Sequence, residues 1–206
     1  ANTLSLHDAL PIFIDEIQMI KDPHRGIAWS KALLGLKCGE LHICGASNAK
    51  KILEIIINDC GDKYTIKEYT RDIPLKVENI DFNYNDIQEG DAIVVFSKKR
   101  VLEIAGRYSS IGIKTSIIYG DLPPQVRKIQ YEQFTNKVAK VLVTTDAIGM
   151  GVNLPIRRII FMSIRKFDGE EVRELTSQEV KQVSGRAGRR GKFLWSQKCY
   201  RILRSE

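Results

Sequence analysis

The chain has 206 residues and a mass of 23.4 kDa, room for one large domain or for one domain with part of a second. Hydrophobic residues make up 43% and charged residues 28%, which excludes a disordered tail; no apolar run reaches the roughly 20 residues that a membrane-crossing helix needs. Cys38, Cys44, Cys60 and Cys199 show no C-x-x-C spacing and do not cluster with His7, His24 or His42, so a zinc site or a disulfide framework is not expected and free thiols suit a reducing compartment.

The net charge of +7 is unevenly spread. Residues 1–91 carry 10 Lys/Arg against 15 Asp/Glu, whereas residues 92–206 carry 22 against 10. A half-chain at +12 suits a polyanion, because neutralised phosphates release their condensed counterions; a solvated basic face gives the same count.

Residues 1–12 hold one histidine, one aspartate and no basic residue, so they resemble neither a secretory signal nor a mitochondrial presequence, and they read as a head foreign to the rest. Beyond Pro11 the elements alternate. Ile12–Asp15 reads as a short buried strand, Ala28–Leu36 as a helix, Leu41–Cys44 as a strand, and Ala49–Cys60 as a helix stopped by Gly61. Lys63–Tyr69 alternates in strand fashion, and Asn79–Gln88 is a polar connector. A second series follows: strand Ala92–Phe96, helix Lys99–Ser109, strand Thr115–Tyr119, helix Pro123–Phe134, strands Lys140–Thr144 and Arg158–Met162, a hairpin turn at Asp168-Gly169, and helix Thr176–Val183. Strands and helices of these lengths predict an α/β fold with parallel sheets flanked by helices.

Four segments carry candidate chemistry. Asp15-Glu16-Ile17-Gln18 leaves an apolar strand, where one carboxylate can hold Mg²⁺ and the next can orient an attacking water; taken alone, such a pair more often caps a helix. Gln182-Val183-Ser184-Gly185-Arg186-Ala187-Gly188-Arg189-Arg190-Gly191 is far more specific. If helical, it puts Arg186 and Arg189 on one face, as suits the spread charge of a transferring phosphoryl group. Thr144 to Leu154 runs from a strand into a glycine-rich turn fit for phosphate oxygens or for an ordinary tight turn. Ser97-Lys98-Lys99-Arg100 places a hydroxyl and three cations where a strand meets a helix, and Tyr119-Gly120-Asp121-Leu122-Pro123-Pro124 reads as a turn and helix start.

In this order the motifs resemble those of a superfamily-two DExH-type helicase from the second to the sixth. Asp15 to Gln18 looks like motif II, Cys44-Gly45-Ala46 like a variant motif III, and Phe96-Ser97-Lys98 like motif IV. Thr144 to Leu154 looks like motif V and Gln182 to Arg189 like motif VI. Ile14 to Leu36 and Val94 to Pro124 are similar to the mitochondrial degradosome RNA helicase family, while motif VI equally resembles the exosome-associated superkiller helicases.

The resemblance implies tandem RecA-like domains: the C-terminal part of a first one over 13–78, truncated at its N-terminus, a linker at 79–90, and a second over 91–206. It implies ATP and Mg²⁺ as cofactors, with Asp15 holding the metal and Glu16 activating water. Gln182, Arg186 and Arg189 would contact the γ-phosphate, and Gly149 and Gly151 would approach the nucleotide. Ser97, Lys98, Gly120, Thr144 and Thr145 would touch RNA. It further implies an RNA substrate with a 3′ single-stranded overhang, an exoribonuclease partner and a mitochondrial matrix location. No G-x-x-x-x-G-K-[ST] loop occurs in the 206 residues, so the chain alone is expected to be inactive as an ATPase. The alternatives are a catalytically inactive RNA-binding or docking module and a helicase directed to DNA.

Overall fold

A computed structural model describes residues 11–23, 25–69, 75–78, 82–149, 153–188 and 198–202. The chain forms two compact units, residues 1–69 and 70–206.

In the first unit, strands β1 (Ile12–Ile14) and β2 (Leu41–Ile43) pair in parallel, with helix α1 (Gly26–Gly35) in the connection between them. Helix α2 (Lys50–Cys60) follows. Trp29, Ala32 and Leu33 lie one helical turn apart on α1 and pack, with Leu41, Ile43 and Leu53, on the buried Ile14, Ile17 and Ala49. Gly61 ends α2 in the left-handed region at φ 74, and its N–H donates to Asn58 O at 3.0 Å. The predicted strand at Lys63–Tyr69 does not form: 62–69 is irregular, because alternation makes a strand only where a neighbouring strand accepts its ladder.

The second unit holds a six-stranded, wholly parallel sheet. Its strands are β3 (Leu75–Val77), β4 (Asp91–Val94), β5 (Thr115–Ile118), β6 (Val141–Thr144), β7 (Arg158–Phe161) and β10 (Lys198–Ile202), in the spatial order β3-β10-β7-β4-β6-β5. The strands β4, β6 and β7 are buried on both faces, which is why they read as unbroken apolar runs. One face packs Ile93, Val95, Val143 and Ile160 under Val101, Ile104 and Tyr108 of helix α3 (Lys98–Ser110). The other packs Val94, Leu142, Ile159 and Phe161 under Phe134 of helix α4 (Pro124–Thr135) and Val183 of helix α5 (Ser177–Ser184). At about 1.5–3 kcal/mol for each large apolar side chain fully buried, this double core far outweighs the small cluster of Ile14, Ile17 and Ala49 described in the first unit.

The boundary read from the sequence at residue 78 differs from this arrangement. The pairing Leu75↔Lys198 makes 75–77 an edge strand of the second sheet, and the units divide at 69/70. The connector beyond it is anchored by Arg158, whose guanidinium donates to Asp91 Oδ1 at 3.0 Å, to Asp91 Oδ2 at 2.6 Å and to Asp86 O at 2.9 Å. The predicted turn at Asp168-Gly169 joins strands β8 (Arg165–Phe167) and β9 (Val172–Glu174) in an antiparallel hairpin. Asp168 Oδ1 accepts from the N–H groups of Glu170 and Glu171, and Gly169 takes φ 114, which favours glycine.

Candidate functional site

Asp15 stands exposed at the carboxyl end of β1 and accepts the Glu16 N–H at 2.8 Å. Glu16 is held at φ 55, a left-handed conformation that non-glycine residues seldom take and that recurs at functional sites. Gln18 explains part of how it persists. Its side-chain amide donates to the Glu16 carboxylate, and its carbonyl accepts the Ala46 N–H at 2.9 Å. Gly45 makes this approach possible, since a Cβ there would lie 2.6 Å from Gln18 Oε1 and 2.7 Å from Ile17 Cγ2. Trp29 Nε1 donates to Asp15 O at 2.9 Å. Motifs II and III are thus one hydrogen-bonded piece, a bridge that the sequence reading missed.

An exposed carboxylate at a strand end fits Mg²⁺, which keeps several waters and uses one or two carboxylates beside substrate phosphates. Among the described residues there is no cluster of three or more His, Cys, Asp or Glu.

In the second unit the carboxyl ends of β4, β6 and β5 lie side by side and gather segments far apart in sequence. Ser97 and Lys98 are exposed there. Ser97 Oγ caps α3 by accepting the Arg100 N–H at 3.2 Å, and Lys98 Nζ lies 5.2 Å from the Tyr119 ring centroid. Gly120 is exposed, and its carbonyl accepts from Arg127 at 2.7 Å; the same guanidinium nitrogen reaches Leu122 O at 3.3 Å. Arg127 therefore sets the shape of this loop, a role with no local signal beyond its place one turn into α4.

Thr144 is fully buried and its hydroxyl donates to Thr145 O at 2.9 Å, so it shapes the strand end and offers no hydroxyl to a ligand here. Thr145 is nearly buried, and its Oγ1 accepts the Ala147 N–H at 3.2 Å. Gly149 closes the short 3-10 turn Asp146–Gly149, and Gly151 lies outside the described residues.

The conditional helix through motif VI does not extend that far: α5 ends at Ser184, and 185–188 are turns, with Gly188 at φ 52 and its N–H on Ile156 O at 2.7 Å. Two glycines favour this turn over continued helix. Gln182 is half-buried on α5, Arg186 is 7% exposed in the turn, and Arg189 lies outside the described residues. Burial raises the Tyr131 phenol above its ordinary value, opposed by the charges of Arg127 and Arg186.

The entry to α5 is tied firmly. Thr176 and Glu179 form a reciprocal cap, and Glu179 also accepts Arg173 Nη1 and Nη2 at 2.9 and 3.0 Å while pairing with Lys166 of β8. The Arg173 guanidinium, aided by Lys166 and the Thr176 N–H, holds the Glu179 carboxyl well below the usual carboxylate range despite partial burial.

Comparison with known proteins agrees with this order of parts. Residues 4–69 match the family described as the DEXQ-box helicase domain of Suv3, and residues 75–191 match the helicase conserved C-terminal domain. The first match begins inside the stretch that the sequence reading set apart as a foreign head. The chain is 41% identical over 188 residues to the mitochondrial ATP-dependent RNA helicase SUV3 of Candida albicans, covering 90% of this chain and 26% of that protein. It is 42% identical to its Saccharomyces cerevisiae counterpart over 86% of this chain and 25% of that one. The mitochondrial ATP-dependent RNA helicase SUPV3L1 of Mus musculus is likewise 42% identical, over 85% of this chain and 24% of the relative. The chain thus spans about a quarter of the length of these relatives. In fold it is similar to S. cerevisiae Dbp5 L327V bound to RNA and ADP BeF3, with a TM-score of 0.65 at 19% identity over 95% of this chain and 54% of that one. The chain belongs to the family of the helicase conserved C-terminal domain, and its residues 4–69 are similar to the DEXQ-box helicase domain of Suv3.

Proposed function

We propose that this chain forms the motor segment of an ATP-dependent RNA helicase acting in mitochondrial RNA turnover beside an exoribonuclease. The observation that carries the reading is the acidic pair Asp15–Glu16 at the end of β1, locked through Gln18 onto Gly45–Ala46. In this reading Asp15 would hold the Mg²⁺ that accompanies the nucleotide. Glu16, fixed by Gln18, takes the proton of a water aimed at the terminal phosphate. Arg186, Arg189 and Gln182 supply positive charge and hydrogen bonds to the phosphoryl oxygens. Ser97, Lys98, Gly120 and Thr145, along one sheet edge, lie against the RNA backbone, with Thr144 supporting them from beneath. Bound Mg²⁺-ATP supplies the phosphoryl group whose hydrolysis drives domain movement.

The 206 residues contain no G-x-x-x-x-G-K-[ST] loop, which favours a second reading for this chain by itself: an RNA-binding module without turnover. RNA-stimulated ATP hydrolysis separates the two. It is measured on this chain and on a longer chain carrying such a loop, each beside Glu16→Gln. The expected result is no turnover from the short chain, and turnover from the long one that falls by about 10²–10⁴ with Glu16→Gln. Equal turnover with and without Glu16→Gln would refute the assignment. Binding of RNA in preference to matched DNA tests the substrate, since only a site that senses the 2′-OH discriminates.

A further inference from the structure

One peptide group joins the two carboxylates assigned to the metal and the water, and both of its polar atoms are hydrogen-bonded. Its N–H, on Glu16, donates to Asp15 Oδ1 at 2.8 Å. Its C=O, on Asp15, accepts the indole N–H of Trp29 at 2.9 Å. The first bond is local, whereas the second comes from α1, 14 residues along the chain. The pairing of β1 with β2 ends at Ile14, so Asp15 O lies beyond the sheet ladder and takes a side-chain donor instead.

Packing fixes the direction from which that donor arrives. Gly26 lets α1 start hard against the 3-10 turn Ile17–Lys21, since a Cβ there would lie 2.4 Å from Ile20 O. One turn into the helix, the half-buried Trp29 packs with Ala32 and Leu33 on Ile14, Ile17 and Ala49. The indole is thus a rigid body with a single donor, and that donor meets the motif II backbone.

A peptide unit is planar, so its rotation changes ψ of Asp15 and φ of Glu16 together and redirects both side chains. Glu16 sits at φ 55, a conformation that persists only where its surroundings over-determine it. Gln18 holds the carboxylate end of Glu16, and Trp29 holds its backbone end through Asp15 O. We propose that Trp29 is a positioning residue for ATP hydrolysis, whose indole N–H fixes the Asp15–Glu16 peptide plane and with it the aim of both carboxylates. The inference rests on the roles assigned to Asp15 and Glu16 above.

The test replaces Trp29 by benzothienylalanine in the longer chain that carries a G-x-x-x-x-G-K-[ST] loop; sulfur then stands in place of the indole N–H and the ring keeps its shape. RNA-stimulated kcat is expected to fall about fivefold to a hundredfold, while KM for ATP and RNA affinity stay within about twofold. The Mg²⁺ concentration that half-maximally stabilises the ADP-bound chain against heat, a readout independent of turnover, rises about threefold to tenfold. Trp29→Phe, which also lacks the donor, shifts both readouts the same way. Leu33→Val thins the same apolar cluster without touching Asp15; it lowers Tm and leaves kcat and the Mg²⁺ dependence unchanged. Full kcat and unshifted Mg²⁺ dependence in the benzothienyl protein would overturn the positioning role. An equal loss of kcat in Leu33→Val would overturn it too, since packing alone then accounts for Trp29. Turnover indifferent to Glu16→Gln overturns the carboxylate assignment and this inference with it; a loss in Glu16→Gln beside full kcat in the benzothienyl protein overturns the inference alone.

Discussion

Replacing Glu179 by Gln removes one charge and almost no volume from the start of α5. The carboxylate accepts two N–H bonds from Arg173 at 2.9 and 3.0 Å, one from Thr176 N at 2.8 Å, the Thr176 hydroxyl at 3.1 Å, and pairs with Lys166. Glutamine keeps an oxygen for the Thr176 N–H but turns an amide donor toward two cations. The side chains of Glu179, Lys166 and Arg173 are 24%, 18% and 32% exposed, between the surface case, worth at most about 1 kcal/mol, and the buried case, where breaking a pair costs about 3–5 kcal/mol. A local cost of about 2 kcal/mol follows, equivalent to about thirtyfold in an opening equilibrium. Amide hydrogen exchange of 177–184 reads it directly, with α3 as the internal control. Exchange in Glu179→Gln within about twofold of the unsubstituted chain would refute the claim that this carboxylate holds α5.

The remaining predictions concern the other packed contacts. Because the folded Glu179 carboxyl titrates below its unfolded value of about 4.3, its contribution is complete above that pH and is lost as the pH falls toward the folded value. Protection of α5, corrected for intrinsic exchange, is expected to hold at pH 7 and decline below about pH 4; a decline centred near pH 6 would point to another group. Gly45→Ala forces a Cβ to 2.6 Å from Gln18 Oε1 and is expected to cost the first unit about 1–3 kcal/mol, read from Trp29 fluorescence in urea in a Trp195→Phe background. An unchanged midpoint would show that the loop gives way freely. Asp91→Ala leaves the buried Arg158 without its bidentate partner and is expected to cost the second unit about 3–5 kcal/mol in urea unfolding followed by circular dichroism. Residues 12–69 are expected to exchange faster than 91–188, since Phe13 of β1 and Ile27 and Leu34 of α1 are more than 60% exposed and the described sheet of this unit has two strands; equal protection would contradict this.

What the sequence makes legible is chemistry that sits within a few residues of its own strand or turn. Asp15 and Glu16 announce themselves because an apolar strand ends beside them, Asp168-Gly169 because turn residues punctuate two short runs, and Thr176-x-x-Glu179 because a capping box is local. Contacts between distant segments carry no such mark. Gln18 meets Ala46 only because β1 and β2 are neighbours, and Arg173 and Lys166 meet Glu179 only because the hairpin folds back on α5. Leu75–Val77 becomes a strand through its pairing with β10, whereas Lys63–Tyr69 has the better pattern and remains irregular. At motif VI the signal was present but read too narrowly. Arginine spacing suggested a helix, while Gly188, at φ 52, marks the turn that follows it.

The parallel sheet decides where the rest of the chemistry collects. Since β4, β6 and β5 run in one direction side by side, Ser97, Gly120 and Thr145 come to a single edge although each belongs to a different strand-to-helix loop. Arg186 reaches its place by another route, just past the end of α5, and the capping carboxylate of that helix is also the anchor of the hairpin β8–β9. Lys166 of β8 and Arg173 of β9 both pair with Glu179, so the hairpin is tied to the helix that leads to motif VI. One carboxylate thus links the hairpin with the helix that precedes the Arg186 turn. If that link is mechanical, Glu179→Gln will weaken the dependence of ATP turnover on RNA in the longer chain while leaving RNA affinity intact. If RNA affinity and RNA stimulation fall together, the hairpin needs the tie to form at all, and the carboxylate is structural support rather than a coupling.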